Sequence, residues 1–135
     1  MKKKILGLMM AVAVVCTSSN YVMAAQDVGN INFHLNPHGN ADETGSVTKT
    51  TAKSYANIYI QNASGFATNN RVIARVHKAS DRSTATEYKY ISQGVDFTLW
   101  RLAGKTYSSG VNYYLKMKTE DAANNSVDIS GYWRP

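Results

Sequence analysis

The chain of 135 residues contains one cysteine, Cys16, which lies near the amino terminus. The rest of the chain therefore has no disulfide, no thiolate nucleophile and no cysteine-based metal site. Val15 precedes Cys16 and is not the small residue that lipoprotein processing requires, so we expect no lipid anchor. Proline is also scarce, with two residues in the whole sequence. A domain built from this chain depends on packing and backbone pairing.

No apolar run reaches the roughly 20 residues that a membrane-spanning helix needs. The longest, Ile5–Val15, has 11 residues, follows three lysines at positions 2–4 and precedes the small-residue site Val22-Met23-Ala24. This order is typical of a secretory signal peptide. We predict a signal peptide over residues 1–24, cleaved after Ala24 or alternatively after Ala25. The predicted location is secreted, either extracellular or associated with the cell wall, with no stable transmembrane anchor.

Basic residues exceed acidic residues only modestly. The sequence has 15 Lys and Arg residues against nine Asp and Glu residues, a net charge of +6. Residues 1–24 hold three of the lysines and no acid, so their removal leaves 111 residues with a net charge of +3. Because no run of basic residues accompanies this modest charge, nucleic acid is not an expected partner. A hydrophobic share of 44% is sufficient for one globular domain over residues 25–135.

No helical spacing of apolar residues is sustained after Ala25, whereas alternation with a period of two recurs throughout. Residues 55–61 and 71–77 alternate most clearly, and turn residues between them predict a hairpin with a long loop. Further short strands are expected within residues 31–35, 87–92, 96–102, 111–118 and 126–133. The sequence therefore predicts an all-β fold, a single antiparallel β-sandwich or small barrel of about seven to eight strands. The alternation of apolar residues along the strands predicts that six residues face the core of this fold: Ile58, Ile60, Val72, Val76, Leu115 and Ile129.

The early segment 36–53 is polar, and its one large apolar residue is Val47. Such a segment buries little surface by itself. It is expected to be either a long loop or an edge strand around residues 46–51.

Catalytic patterns are weak. No serine lies in a G-x-S-x-G turn, and Glu87 and Asp128, which fall on predicted strands, are the only plausible pair of carboxylates. Three histidines, His34, His38 and His77, lack metal-ligand spacing and are expected at the surface. We therefore predict no catalytic residue, no metal and no cofactor, and we do not expect an enzyme.

The aromatic residues are the most distinctive feature, because nine of the 14 are tyrosine. The strand register places five of them opposite the aliphatic face: Tyr55, Tyr59, Trp100, Tyr114 and Tyr132. Exposed rings of this kind stack on sugars or pack on a partner at low cost in side-chain entropy. Alternatively, tyrosine fills outer sheet faces through β-propensity and cross-strand pairing. If the rings form a binding platform, then Tyr59, Trp100 and Tyr114 should share one contiguous patch.

The stretch 127–133, Val-Asp-Ile-Ser-Gly-Tyr-Trp, follows an Asn-rich turn and an alternating Tyr/Lys strand. It resembles the tail of small exported Firmicute proteins of the uncharacterised family DUF2712. Arg134-Pro135 stands where that family is expected to have an acidic residue. The resemblance implies an exported, β-rich bacterial protein and transfers no catalytic residue.

A looser similarity, based on Tyr113-Tyr114 and the aromatic terminus, is to exported bacteriocins of the lactococcin 972 type. Together these observations predict a secreted, non-enzymatic protein that binds an extracellular or cell-wall component, either an envelope glycan or a protein. The alternative is a bacteriocin-like antibacterial toxin, and an unrecognised hydrolase is a third possibility. The sequence does not indicate the oligomeric state.

Overall fold

The computed structural model describes residues 27–66, 71–91 and 96–135. The predicted signal peptide, its cleavage site and Cys16 lie outside the described residues, as do parts of the predicted turns at 67–70 and 92–95. Within the described ranges there is no helix long and apolar enough to cross a membrane.

The described residues form nine β-strands in chain order. They are β1 (Gly29–Leu35), β2 (Ala41–Glu43), β3 (Val47–Thr48), β4 (Tyr55–Ser64), β5 (Val72–Lys78), β6 (Lys89–Ile91), β7 (Phe97–Trp100), β8 (Asn112–Thr119) and β9 (Val127–Arg134).

These strands build two antiparallel sheets. Sheet I has the order β1-β9-β4-β7, and sheet II has the order β2-β8-β5-β6 with β3 also paired to β8. In each sheet the first and last strands are not paired with each other, so the sheets do not close into a barrel. The fold is all-β, as predicted, and of its two predicted forms the β-sandwich fits.

A single core lies between the two sheets, because alternate side chains of each strand point inward. All six residues predicted to face inward are buried. Trp133 at the end of β9 and Tyr113 at the start of β8 are the largest fully buried side chains and fill the space between the sheets. The alternation in the sequence therefore predicted the buried faces correctly.

One prediction about the connections between strands needs correction. The hairpin predicted from 55–61 and 71–77 is wrong, because β4 belongs to sheet I and β5 to sheet II. Strands β4 and β5 are therefore consecutive in the chain but are not paired with each other.

The polar segment 36–53 contains the edge strand that was one of its two predicted forms, at Val47–Thr48 within the expected residues 46–51. It contributes β2 and β3, which lie end to end along β8 and form an edge of sheet II. It also buries Val47 and Lys49, although the sequence of this segment predicted little burial.

Candidate functional site

Two aromatic pairs lie on the outer face of sheet I. Tyr55 on β4 is directly opposite Trp100 on β7, and the ring centroids are 5.0 Å apart in an edge-to-face arrangement. Tyr59 is opposite Tyr132 on β9, with centroids 4.7 Å apart and an interplanar angle of 19°. Four of the five residues predicted as binding residues are thus brought together. The two pairs are four positions apart along β4, about 13 Å.

Asn57 lies between the two pairs on the same face. Its side-chain oxygen accepts a hydrogen bond from the Thr98 hydroxyl at 3.3 Å, and its backbone is opposite Arg134. We call Tyr55, Asn57, Tyr59, Trp100 and Tyr132 the aromatic face. Trp100 is its most exposed member, with 55% of its surface accessible.

A small cleft opens beside the aromatic face. Its volume is about 110 Å³, and it is lined by Tyr55, Asn57 and Tyr59 together with charged and hydroxyl groups from three other segments. Those groups belong to Asp27, Thr50, Thr51, Lys53 and Arg134. Flat rings therefore lie beside hydrogen-bond donors and acceptors, and beside side chains of both positive and negative charge.

Beyond Tyr59 the face becomes polar. A bulge between Ile60 and Asn62 shifts the pairing of β4 with β9, and Gly131 lies opposite Ile60 at this point. A Cβ on Gly131 would collide with the carbonyl oxygen of Tyr59, so only glycine permits this close approach.

The polar half of the outer face carries a second cleft of about 390 Å³. Amide, hydroxyl and carboxylate side chains line it, among them Asn32, Asn62, Ser64, Asp128 and Ser130. The Asn62 amide donates to the Ser130 hydroxyl at 3.3 Å. Sheet I thus presents rings at one end and hydrogen-bonding groups at the other.

Tyr114 is not part of this patch, so the predicted contiguous patch of Tyr59, Trp100 and Tyr114 is wrong. Tyr114 points outward as the alternation required, but it does so from β8 in sheet II. The ring of His77 stacks on it at 5.3 Å, and the Arg82 guanidinium lies 5.0 Å from its centroid. These neighbours leave only 6% of Tyr114 exposed.

The predicted histidines are dispersed. His34 on β1 is 2.6 Å from Asp128 on β9, His38 occupies a turn with φ of 63°, and His77 lies on sheet II. Among residues 27–66, 71–91 and 96–135, no group of three His, Cys, Asp or Glu side chains is arranged to hold a metal ion.

The candidate carboxylates are also separated. The Glu87 amide donates to the carbonyl of Trp100, opposite Tyr55, whereas Asp128 is opposite Ser64. These points are nine positions apart along β4, roughly 25 to 30 Å, whereas a glycosidase pair needs about 5 to 10 Å. Glu87 itself lies outside the strands, so its predicted place on a strand is wrong.

Sequence reasoning missed two groups of candidate binding residues. Asn57 and Arg134 beside the rings gave no pattern of their own, since their proximity depends on the pairing of β4 with β9. Tyr88 and Tyr90 are both exposed, and their spacing of two around Lys89 was a usable signal for one outward face.

Fold and site together define an antiparallel two-sheet domain with an aromatic and polar outer face on one sheet. Comparison of the chain with known protein families, with curated proteins and with solved structures finds no match. The resemblances to DUF2712 and to lactococcin 972-type bacteriocins stay predictions.

Proposed function

We propose that this protein is a secreted, non-enzymatic β-sandwich protein that binds a glycan of the bacterial cell envelope through its aromatic face. The observation that carries the proposal is the register of β4 with β7 and β9, which places Tyr55 against Trp100 and Tyr59 against Tyr132 on one side of sheet I.

The chemistry of this face suits a sugar polymer. Aromatic rings stack on the apolar faces of pyranose rings, while amides, hydroxyls and carboxylates bond to the sugar hydroxyls. Asn57 and Arg134 lie between the two ring pairs, and the amide-rich cleft continues the face along β4 and β9. A spacing of about 13 Å between pairs favours an extended ligand of several units over a single sugar.

Export is part of the proposal and rests on the lysine start, the apolar stretch and the small-residue site of residues 1–24. Intact-mass analysis of culture supernatant tests it. We expect a chain that begins at Ala25 or Gln26. A cell-bound product that retains Met1, or one that is acylated at Cys16, would contradict export by this route.

The binding test is retention on purified, insoluble peptidoglycan. Trp100→Ala removes the most exposed ring of the aromatic face and is expected to lower affinity about threefold to tenfold, a range typical of one lost stacking contact. On phosphate-free peptidoglycan Tyr88→Ala is the matched control, because Tyr88 is 54% exposed and lies beside β6 of sheet II, outside the aromatic face. Equal retention of both variants and the wild type would refute the proposal.

The alternative function, an antibacterial toxin, shares export and an aromatic surface but predicts a different result. A toxin inhibits the growth of related strains at low concentration, whereas a glycan-binding protein does not. Growth inhibition that survives Trp100→Ala would favour the toxin.

A further inference from the structure

The outer face of sheet II carries a cleft that the aromatic face does not include. Its volume is about 440 Å³. Ile73 forms part of its floor, and we call the six other lining residues the basic cleft: Arg75, His77, Tyr88, Tyr90, Lys116 and Lys118. These residues are dispersed in the sequence, so the chain shows no basic run.

The arrangement of charge in this cleft is unfavourable for the protein alone. Arg75 on β5 is directly opposite Lys116 on β8, and Lys118 follows two residues along the same strand. Like charges directly opposite each other destabilise an antiparallel pair. Among the described residues, no carboxylate forms a salt bridge with Arg75 or Lys116.

On the other side of β8, Glu43 is directly opposite Lys116, but its carboxylate is engaged by another cation. Arg82 Nη2 lies 2.7 Å from both oxygens of Glu43, and this hydrogen bonding holds the pKa of Glu43 below its ordinary value. At the other end, Arg71 binds Glu120 through two nitrogens at 2.9 and 2.7 Å. The middle of the cleft therefore retains its positive charge.

Among the described residues, Asp121 is the acid that forms a salt bridge with Lys118. It lies 3.5 Å away, and 88% of its side chain is exposed. A surface pair of this kind contributes little, so it leaves Lys118 available to a ligand.

The aromatic side of the cleft is held in place. The Tyr90 ring packs under the Arg71 guanidinium at 4.1 Å. Tyr88 meets Tyr90 edge to face at 5.9 Å, and Arg75 lies over the Tyr88 ring at 5.3 Å. The Arg75 Nε is buried and has no hydrogen-bond partner among the described residues. Because this nitrogen is buried, an oxyanion in the cleft would be bound by the terminal nitrogens of the Arg75 guanidinium.

The cleft also continues lengthwise. An adjoining cleft of about 470 Å³ shares Ile73, Tyr90 and Lys118 with it and extends towards Arg71, Glu120 and Asn124. The two together form a groove longer than a single small anion requires.

We propose that the basic cleft binds a phosphodiester group of an anionic envelope polymer, with Arg75 and Lys116 on the phosphate oxygens. Tyr88 and Tyr90 flank the sugar or polyol units on either side of that phosphate. The site lies on the opposite sheet from the aromatic face and does not depend on the glycan proposal.

The test is titration of the purified protein with soluble poly(glycerol phosphate), inorganic phosphate and single-stranded DNA matched in phosphate number. We expect the polymer to bind, to bind more weakly as salt rises, and to lose affinity about tenfold or more in Arg75→Gln with Lys116→Gln. Retention on phosphate-free peptidoglycan should not change in this variant, which separates the two sites.

The control is Arg101→Gln with Lys105→Gln, which removes the same charge from exposed positions that line neither this cleft nor the one beside the aromatic face. An equal loss in the control would overturn the proposal in favour of a net-charge effect. DNA binding as tight as polymer binding, or equal competition by inorganic phosphate, would overturn it in favour of a nucleic acid or a small-ion site.

Folding of the variants is checked by thermal midpoint. Removal of the Arg75 and Lys116 charges relieves a like-charge pair, so the midpoint should stay level or rise. If the double variant does not fold, Lys116→Gln alone is titrated, and unchanged polymer affinity in that folded variant overturns the proposal.

Discussion

The ammonium of Lys49 lies 4.4 Å from the ring centroid of Tyr107, in a place where Lys49 has no accessible surface. Within the described residues, the only hydrogen bond that the Lys49 ammonium donates to a side chain goes to the Thr51 hydroxyl at 3.1 Å. Burial, together with the nearby charge of Lys53, lowers the pKa of Lys49 below its ordinary value. The cation is therefore held by a π-face and a neutral hydroxyl, without a carboxylate.

This burial predicts a pH-dependent cost to stability. The unfolded chain holds the Lys49 proton up to about pH 10.4, whereas the folded chain releases it earlier. The cost is therefore complete below the folded pKa and disappears as the pH rises towards 10.4.

Lys49→Met should raise the free energy of unfolding at neutral pH by on the order of 1 kcal/mol, and the gain should shrink as the pH rises. Denaturant unfolding at a series of pH values measures it. Lys105→Met, at an exposed position, is the control and should show no such trend. If the difference in unfolding free energy between Lys49→Met and the wild type were the same at every pH, the burial of a charged amine would be contradicted.

Gly131→Ala tests the close approach of β9 to β4. The added methyl carbon would lie against the Tyr59 carbonyl and 3.2 Å from the Gln61 nitrogen, so backbone has to move. We expect a loss of about 1 to 3 kcal/mol in stability and weaker glycan retention, because the Tyr59 and Tyr132 rings shift with their strands. Gly45→Ala is the matched control, since a Cβ there meets nothing within 4 Å.

Ile60→Ala tests the register of β4. Ile60 is 9% exposed and packs in the core, so its truncation should cost about 2 to 5 kcal/mol. The denaturant midpoint measures this cost. Ile73→Ala, on the half-buried outer face of sheet II, should cost clearly less. An unchanged midpoint for Ile60→Ala would mean that the inner and outer faces of β4 are assigned incorrectly.

The stacked pair Tyr59 and Tyr132 distinguishes a binding role from a bracing role. A double-mutant cycle with Tyr59→Ala and Tyr132→Ala should give a coupling of about 0.5 to 1.5 kcal/mol in unfolding free energy, as expected for packed rings. Peptidoglycan retention is measured on the same proteins. A lowered midpoint with unchanged retention would leave these tyrosines as sheet-forming residues only.

The sequence predicted which side of its strand a residue occupies better than it predicted which strands lie next to each other. A period of two shows which side of its own strand Tyr114 occupies, and that side is correct. It carries no information on which sheet the strand joins, so Tyr114 was grouped with Tyr59 although they lie on opposite sides of the sandwich. The same limit applies to β4 and β5, whose long connection permits either a hairpin or a crossing.

Burial of Lys49 was unpredictable for a different reason. The segment around it is polar, and the ring that covers it, Tyr107, comes 58 residues later in the sequence. The pairing of Arg75 with Lys116 likewise depends on the register of β5 with β8, which local pattern does not specify. Both features are products of tertiary pairing.

The central position of β9 in sheet I also governs the order in which the molecule can assemble. Its strand partners, β1 and β4, leave the ribosome long before it does, and Gly29 pairs with Trp133 across about 100 residues. Such distant pairing slows folding, because a large loop must close before any contact is gained. A nascent chain that has not yet reached residue 127 has one unpaired strand and one open sheet edge, and it is most vulnerable to aggregation and proteolysis in that interval.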